Sequence, residues 1–136
     1  MRIGCDLMRV GRLTDAMLDA SDPFVRSTFT DAEISAATES PNRRMYYAKV
    51  FSIKESVYKT LRINDERRAD LERMLGRSLS FRDIRVDCSQ DWPIASLSDD
   101  LAGILGVVSC DVSFSYDGDL VMSTAVTDFA NPDPAD

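Results

Sequence analysis

The period of the apolar positions changes along this chain, placing strands at the two ends and helices between them. Residues 1–7 alternate around Ile3 and Leu7 and predict a short strand. Val10, Leu13, Met17 and Leu18 then recur at i, i+3, i+7 and i+8, which predicts a helix. Phe24 to Phe29 reads as a connector. Thr30-Asp31-Ala32-Glu33 is a capping-box pattern, because the Thr30 hydroxyl and the Glu33 carboxylate can satisfy each other's free amides. It should open a short helix ending near Ser40-Pro41.

The main helix is expected from about Asn42 to Leu61, followed by a more polar one from Asn64 to Leu75 that Gly76 closes. Phe81 to Cys88 alternates through Ile84 and Val86 as a strand, and Ser98 is placed to cap a helix from Asp99 to Leu105. Val107 to Tyr116 and Leu120 to Thr127 flank Asp117-Gly118-Asp119, a hairpin with glycine at the position needing positive φ. Helices in the middle and strands at the ends favour an α+β domain over a repeating βαβ one. No repeat or linker divides the chain. One domain over residues 1–129 is expected, with residues 130–136 as a flexible acidic tail carrying Pro132 and Pro134.

Composition narrows the chemistry. The 136 residues are enough for one real core, and 44% hydrophobic with 29% charged is an ordinary globular balance. No run nears the roughly 18 apolar residues that span a bilayer, and the N-terminus lacks a signal peptide's apolar stretch. No membrane association and a cytoplasmic location are the expectation. A net charge of −7 argues against nucleic acid as partner while leaving room for a small anion in a local basic pocket. Cys5, Cys88 and Cys110 are odd in number and far apart, so they read as free thiols in a reducing compartment. The absence of histidine removes Ser-His-Asp and Cys-His nucleophile systems, His-ligated metals and any imidazole base.

Against that background the segment Phe51-Ser52-Ile53-Lys54-Glu55-Ser56-Val57-Tyr58-Lys59 stands out. It sets Glu55 and Lys59 one helical turn apart, with Lys54 next in sequence. Ala48, Phe51, Ser52, Tyr58 and Lys59 fall on the helix side of Glu55, and the small Ala48 and Ser52 leave room around the carboxylate. Ile3-Gly4-Cys5-Asp6 offers a second carboxylate at the end of the first strand. A carboxylate can hold a hard divalent cation and lysines can neutralise phosphate oxygens, and a polyphosphate needs both. The plain alternative is that Glu55 and Lys59 form a surface i, i+4 pair worth about 0.2–0.5 kcal/mol.

Several segments, in order, resemble the 4′-phosphopantetheinyl transferase family, and by length its holo-acyl-carrier-protein synthase type. Gly4-Cys5-Asp6 looks like the family's opening G-x-D, with Arg12 in the place of its downstream arginine. Phe24 and Arg26, then Phe29-Thr30 and Glu33, are similar to its F-x-R-x-F-T-x-x-E stretch apart from one residue of spacing. Phe51-x-x-Lys54-Glu55-x-x-x-Lys59 matches its F-x-x-K-E-x-x-x-K signature, the most specific piece. Phe81 to Val86 and Pro93 to Leu97 resemble the strand pair that follows, and Ser113 to Asp119 its S-x-S-H-D-G-D segment.

The resemblance implies a single-copy α+β transferase fold with mixed helices and an antiparallel sheet. It also implies a magnesium-dependent enzyme that moves the phosphopantetheine arm of coenzyme A to a carrier-protein serine, releasing 3′,5′-ADP. By position, Asp6 and Glu55 would ligate Mg2+, with Glu55 and Lys59 catalytic. Lys54, Lys59, Arg43, Arg44, Ser115 and Tyr116 would bind coenzyme A. Arg12 and Arg26 would dock the acidic acyl or peptidyl carrier protein. The serine proton would pass to Glu55 or to a metal-bound water. Larger family members join two such halves in one chain, so a single copy is expected to assemble as a homotrimer serving fatty-acid or polyketide synthesis. The chain departs from the pattern with Tyr116 for histidine, Val50 for arginine, Leu61-Arg62-Ile63-Asn64 for a glycine-rich turn, and Asp15 and Asp19 in the docking segment. A degenerate member that binds coenzyme A or a carrier without catalysis is the alternative, and an unrelated metal-dependent phosphoesterase a third.

Overall fold

The computed structural model describes residues 1–131, so the expected tail lies almost wholly outside the described residues. Ten elements follow one another: β1 (Arg2–Arg9), α1 (Pro23–Thr28), α2 (Asp31–Glu39), α3 (Arg43–Leu61), α4 (Asp65–Leu75), β2 (Ile84–Asp87), β3 (Ile94–Leu97), α5 (Asp99–Leu105), β4 (Val107–Asp117) and β5 (Leu120–Phe129). The α+β expectation holds. β1, β5 and β4 form an antiparallel sheet in that order, and β2 pairs with β3 in a separate hairpin.

Several local expectations are corrected, among them the Phe81–Cys88 strand, which is a 3₁₀ turn at Phe81–Asp83 followed by β2. The 10–18 segment is not a helix but two 3₁₀ turns, Val10–Arg12 and Ala16–Leu18. The Val10 amide donates instead to the Asp119 carbonyl at 2.7 Å, which ties the segment to the β4–β5 turn. Val10, Leu13 and Leu18 are buried all the same, so the spacing marked core positions without a helix beneath them. Phe24 to Phe29 is no connector. Asp22 accepts from the Phe24 amide and Pro23 takes the first helical position, where its missing N–H costs nothing, and α1 results.

Other ends follow the expected chemistry. Thr30 and Glu33 form the capping box of α2, Asn42 and Asn64 cap α3 and α4, and Gly76 closes α4 at φ 72°. Ser98 departs from expectation: its hydroxyl donates to Asp83 at 2.8 Å and leaves α5 without a side-chain cap. Arg62 ends α3 at φ 52°, in the region that glycine occupies freely.

Helix α3 lies across β1 and β5 at close range. A Cβ on Gly4 would meet the Ser56 carbonyl oxygen at 2.2 Å, so only glycine permits the approach. The remaining contacts are small hydroxyls. Ser52 and Ser123 lie 2.8 Å apart and Thr60 and Thr127 2.7 Å apart, all fully buried and bonded. On the opposite side of α3, Phe29, Tyr47, Val50, Ile53 and Val57 fill the main apolar core.

That core encloses a buried ion pair. The Lys54 ammonium lies 2.6 Å from Glu33 Oε1 and donates to the carbonyls of Thr28 at 2.8 Å and Phe81 at 2.9 Å. Glu33 also accepts the Thr30 and Val86 amides, so one pair fastens α1, α2, α3 and β2 together. Burial pulls the Lys54 pKa down, and Glu33 pulls it back up.

Two substitutions test these contacts. Gly4→Ala should lower unfolding free energy by about 3 kcal/mol, because the clash is with backbone. Lys54→Met should cost a similar amount, about 3 kcal/mol, by leaving Glu33 buried beside no cation. Adding Glu33→Gln should cost less than the two single effects combined, as denaturant titration would show.

Candidate active site

The close packing of β1 on α3 brings the strand's acid to the helix's acid. Asp6, 14% exposed at its side chain, is held by both oxygens: Ser52 donates to Oδ2 at 2.9 Å, and Lys59 approaches Oδ1 at 3.3 Å. Ser123 donates in turn to the Ser52 carbonyl at 2.7 Å, so β5 fixes the serine that orients Asp6. Lys59 also donates to the Cys5 carbonyl at 2.8 Å while its side chain stays 50% exposed. Its ammonium is therefore anchored yet open to a solvent-borne anion.

Glu55 is the unsatisfied member. Among the described residues it makes no hydrogen bond and no ion pair. Burial pushes its pKa up first and the Asp6 charge pushes it further, against the opposing pull of Lys59 and Arg12. One carboxylate is pinned by donors and a second is left without any, and Lys59 and Arg12 offset their repulsion only in part. Two carboxylate ligands with open positions suit a hard cation such as Mg2+, which keeps several waters and takes few protein oxygens. No group of three or more His, Cys, Asp or Glu that could hold a metal ion exists among the described residues.

The structure separates the remaining expected site residues. Lys54 is corrected: it is fully buried and spent on Glu33, Thr28 and Phe81, and cannot meet a phosphate. Arg43 and Arg44 line a cavity of about 580 Å³ at the start of α3, with Asp15 and Asp119. They stand twelve and eleven residues, about 16–18 Å of helix, before Glu55. Arg44 is ion-paired with Asp15. Ser115 and Tyr116 line a separate open cavity of about 230 Å³ with Leu7 and Met122. Arg12 is exposed and adds its charge to the field at Glu55, whereas Arg26 is ion-paired with Asp31.

Val50, at the position where the resemblance leads one to expect arginine, is fully buried in the core. Lys49, its neighbour in sequence, lies over the rings of Phe114 at 5.0 Å and Tyr46 at 5.4 Å. It lines a cavity of about 110 Å³ with Cys88, Trp92 and Pro93, and Trp92 is 69% exposed. Two further participants had no clear signal in the sequence. Ser123 is one alternating strand residue among many, and Glu33 is legible as half of a capping box and as part of a family-like stretch, but not as the buried partner of Lys54. Ser52 was legible as small and on the Glu55 side, but not as the donor that holds Asp6.

Known proteins share this arrangement of elements. The chain is similar to a holo-[acyl-carrier-protein] synthase of Sulfurovum sp. (strain NBC37-1), 25% identical over 95% of this chain and 98% of the relative. A synthase of the same description from Sinorhizobium fredii is 37% identical over 59 residues, 43% of this chain and 42% of the relative. In structure it superposes on the Helicobacter pylori holo-[acyl-carrier-protein] synthase solved with coenzyme A, with a TM-score of 0.71 at 22% identity over 93% of this chain and 99% of that one. A family model for the 4′-phosphopantetheinyl transferase superfamily matches residues 2–112, which span β1 through most of β4 and include Asp6, Glu55 and Lys59. The chain belongs to the 4′-phosphopantetheinyl transferase superfamily.

Proposed function

We propose that this protein is a holo-acyl-carrier-protein synthase that transfers phosphopantetheine from coenzyme A to a carrier-protein serine. The carrying observation is the Asp6–Glu55–Lys59 cluster, with Glu55 unsatisfied between a pinned carboxylate and a half-exposed ammonium. Relatives described as holo-acyl-carrier-protein synthases support the reading.

Asp6 and Glu55 would hold Mg2+, which when bound neutralises pyrophosphate oxygens. Lys59, anchored on the Cys5 carbonyl, meets phosphate charge from the strand side. The serine oxygen attacks the phosphorus that bears the pantetheine arm, the bond to the second phosphate breaks, and 3′,5′-ADP leaves. Glu55, which makes no hydrogen bond of its own among the described residues, is the group we assign to take the serine proton. Pyrophosphate cleavage is largely positioning and charge neutralisation, which this small set of groups provides. Lys49, beside exposed Trp92, is the cation we assign to the nucleotide end in place of the missing arginine.

The outer face of the three-stranded sheet supports an assembly. Ile3 and Leu7 on β1 and Met122 on β5 are 70%, 65% and 48% exposed. A second copy is the natural cover for such a face, and a homotrimer with sites at its interfaces is the arrangement we propose. The described residues contain no helix long and apolar enough to cross a membrane. Three free thiols fit action in the reducing cytoplasm.

The protein incubated with coenzyme A, magnesium and a panel of apo carrier proteins should add one phosphopantetheine to at least one carrier by mass. Chelation should abolish the gain, and no gain on any carrier would overturn the reading. Glu55→Gln should reduce transfer by about 10²–10³-fold. In metal-free buffer at neutral pH the same variant should melt above the wild type. A carboxyl with a raised folded-state pKa penalises folding once ionised, so this advantage should vanish as pH falls below the ordinary glutamate range.

A further inference from the structure

We infer that Ser52, steadied by Ser123, is a positioning residue that leaves Asp6 one outward oxygen and so sets the site's preference for a small divalent cation such as Mg2+ over Ca2+. The inference rests on the metal reading of Asp6 and Glu55 and deepens it.

Each serine hydroxyl has one proton to give, and the distances decide where both go. Ser123, fully buried on β5, donates to the Ser52 carbonyl at 2.7 Å, and its oxygen lies 2.8 Å from the Ser52 hydroxyl. Ser52 is fully buried too and donates to Asp6 Oδ2 at 2.9 Å. An ionised carboxylate only accepts, so the direction of that bond is fixed. Ser52, Glu55 and Lys59 stand at i, i+3 and i+7 of α3, on one face. Asp6 is thus gripped from two sides. Oδ2 is turned to a hydroxyl without solvent contact, and Oδ1 to the half-exposed Lys59 ammonium at 3.3 Å.

A second hydroxyl pair lacks this reach. Thr60 and Thr127 bridge the same helix and strand at 2.7 Å, about two turns further along α3. Thr60 gives its proton to the Val57 carbonyl at 2.6 Å, and Thr127 lies 3.5 Å from Cys110 Sγ. Both pairs fill the close interface, but only Ser52 and Ser123 end on a carboxylate.

That ending matters to a cation. Ca2+ collects many oxygens, often both of one carboxylate, whereas Mg2+ demands near-octahedral geometry, few protein oxygens and several waters. With Oδ2 committed to Ser52, Asp6 offers the single-oxygen form that suits Mg2+ and withholds the two-oxygen form that Ca2+ uses. Without the hydroxyl, Asp6 is free to turn and to chelate through both oxygens.

The test titrates MgCl2 and CaCl2 separately into metal-free protein at constant ionic strength, without coenzyme A, and reads each affinity from the rise in melting temperature. Ser52→Ala should weaken Mg2+ binding by about tenfold, the loss typical when the donor behind a metal ligand is removed, while Ca2+ binding changes less than about threefold. Ser123→Ala, which keeps the Ser52 hydroxyl but not its support, should shift the Mg2+ to Ca2+ ratio the same way by about threefold. Thr127→Ala removes the second pair and should leave the ratio unchanged. A Ser52→Ala protein, folded by circular dichroism, that keeps the wild-type ratio overturns the inference. So does an equal shift in Thr127→Ala, which makes the effect one of packing, or a wild type that binds Ca2+ more tightly than Mg2+. If Ser52→Ala fails to fold, the ratio in Ser123→Ala decides in the same way. In these cases a wild type that still loads a carrier keeps the transferase reading standing. A wild type that neither cation stabilises also overturns the inference, and the mass gain on a carrier then judges the transferase reading by itself.

Discussion

Everything at the candidate site depends on how near β1 comes to α3. An extended strand and a helix ordinarily keep their backbones apart by the width of their side chains. Here Gly4 has none, and the Ser56 carbonyl occupies the space a Cβ would need. The surrounding contacts are small serine and threonine side chains packed within 2.8 Å of one another across the interface, with Ser123 donating to the Ser52 carbonyl. With the strand drawn in, Ser52 and Lys59 can both reach Asp6, and Asp6 can act on Glu55. Small residues here serve proximity, and proximity creates the electrostatics.

The buried Lys54–Glu33 pair works from the other side of the same helix. Desolvating two charges is expensive, and the four carbonyl and amide bonds around them offset that expense only in one arrangement of α1, α2, α3 and β2. Rotation of α3 is thereby restricted, and Lys54 is the sequence neighbour of Glu55. The two lysines of the signature segment divide the labour: Lys54 braces the helix from within, while Lys59 stays at the surface beside the acids.

Charge elsewhere is arranged to cancel. Arg77 is bound by Asp83 and Asp100 at the junction of α4 and α5, and its hydrogen bonds hold the Asp100 carboxyl down at about 2. Around Glu55 the cancellation is incomplete: Lys59 and Arg12 only partly oppose the effect of burial and the Asp6 charge. Such an imbalance is costly to folding and informative about function, because a ligand of opposite sign removes it.

Much of this molecule could be read from residues alone. The α+β class, the capping box at Thr30, the caps and glycine stop of α4 and the terminal hairpin follow from local chemistry: periodicity, side-chain oxygens at helix starts, and glycine where φ is positive. Asp6, Glu55 and Lys59 were legible as candidates because helical spacing fixes which side chains share a face. The fate of Lys54 was not, since whether a lysine meets solvent or a buried glutamate depends on what packs above it. For the same reason the irregular path of residues 10–18 was invisible: its buried residues have helical spacing, but a hydrogen bond to the distant Asp119 carbonyl redirects the backbone. Local propensity and periodicity act within a few residues and are written in the chain. Which acids face each other, which arginines are paired and how deep a charge lies are set by contacts between segments far apart in sequence, and only the folded arrangement decides them.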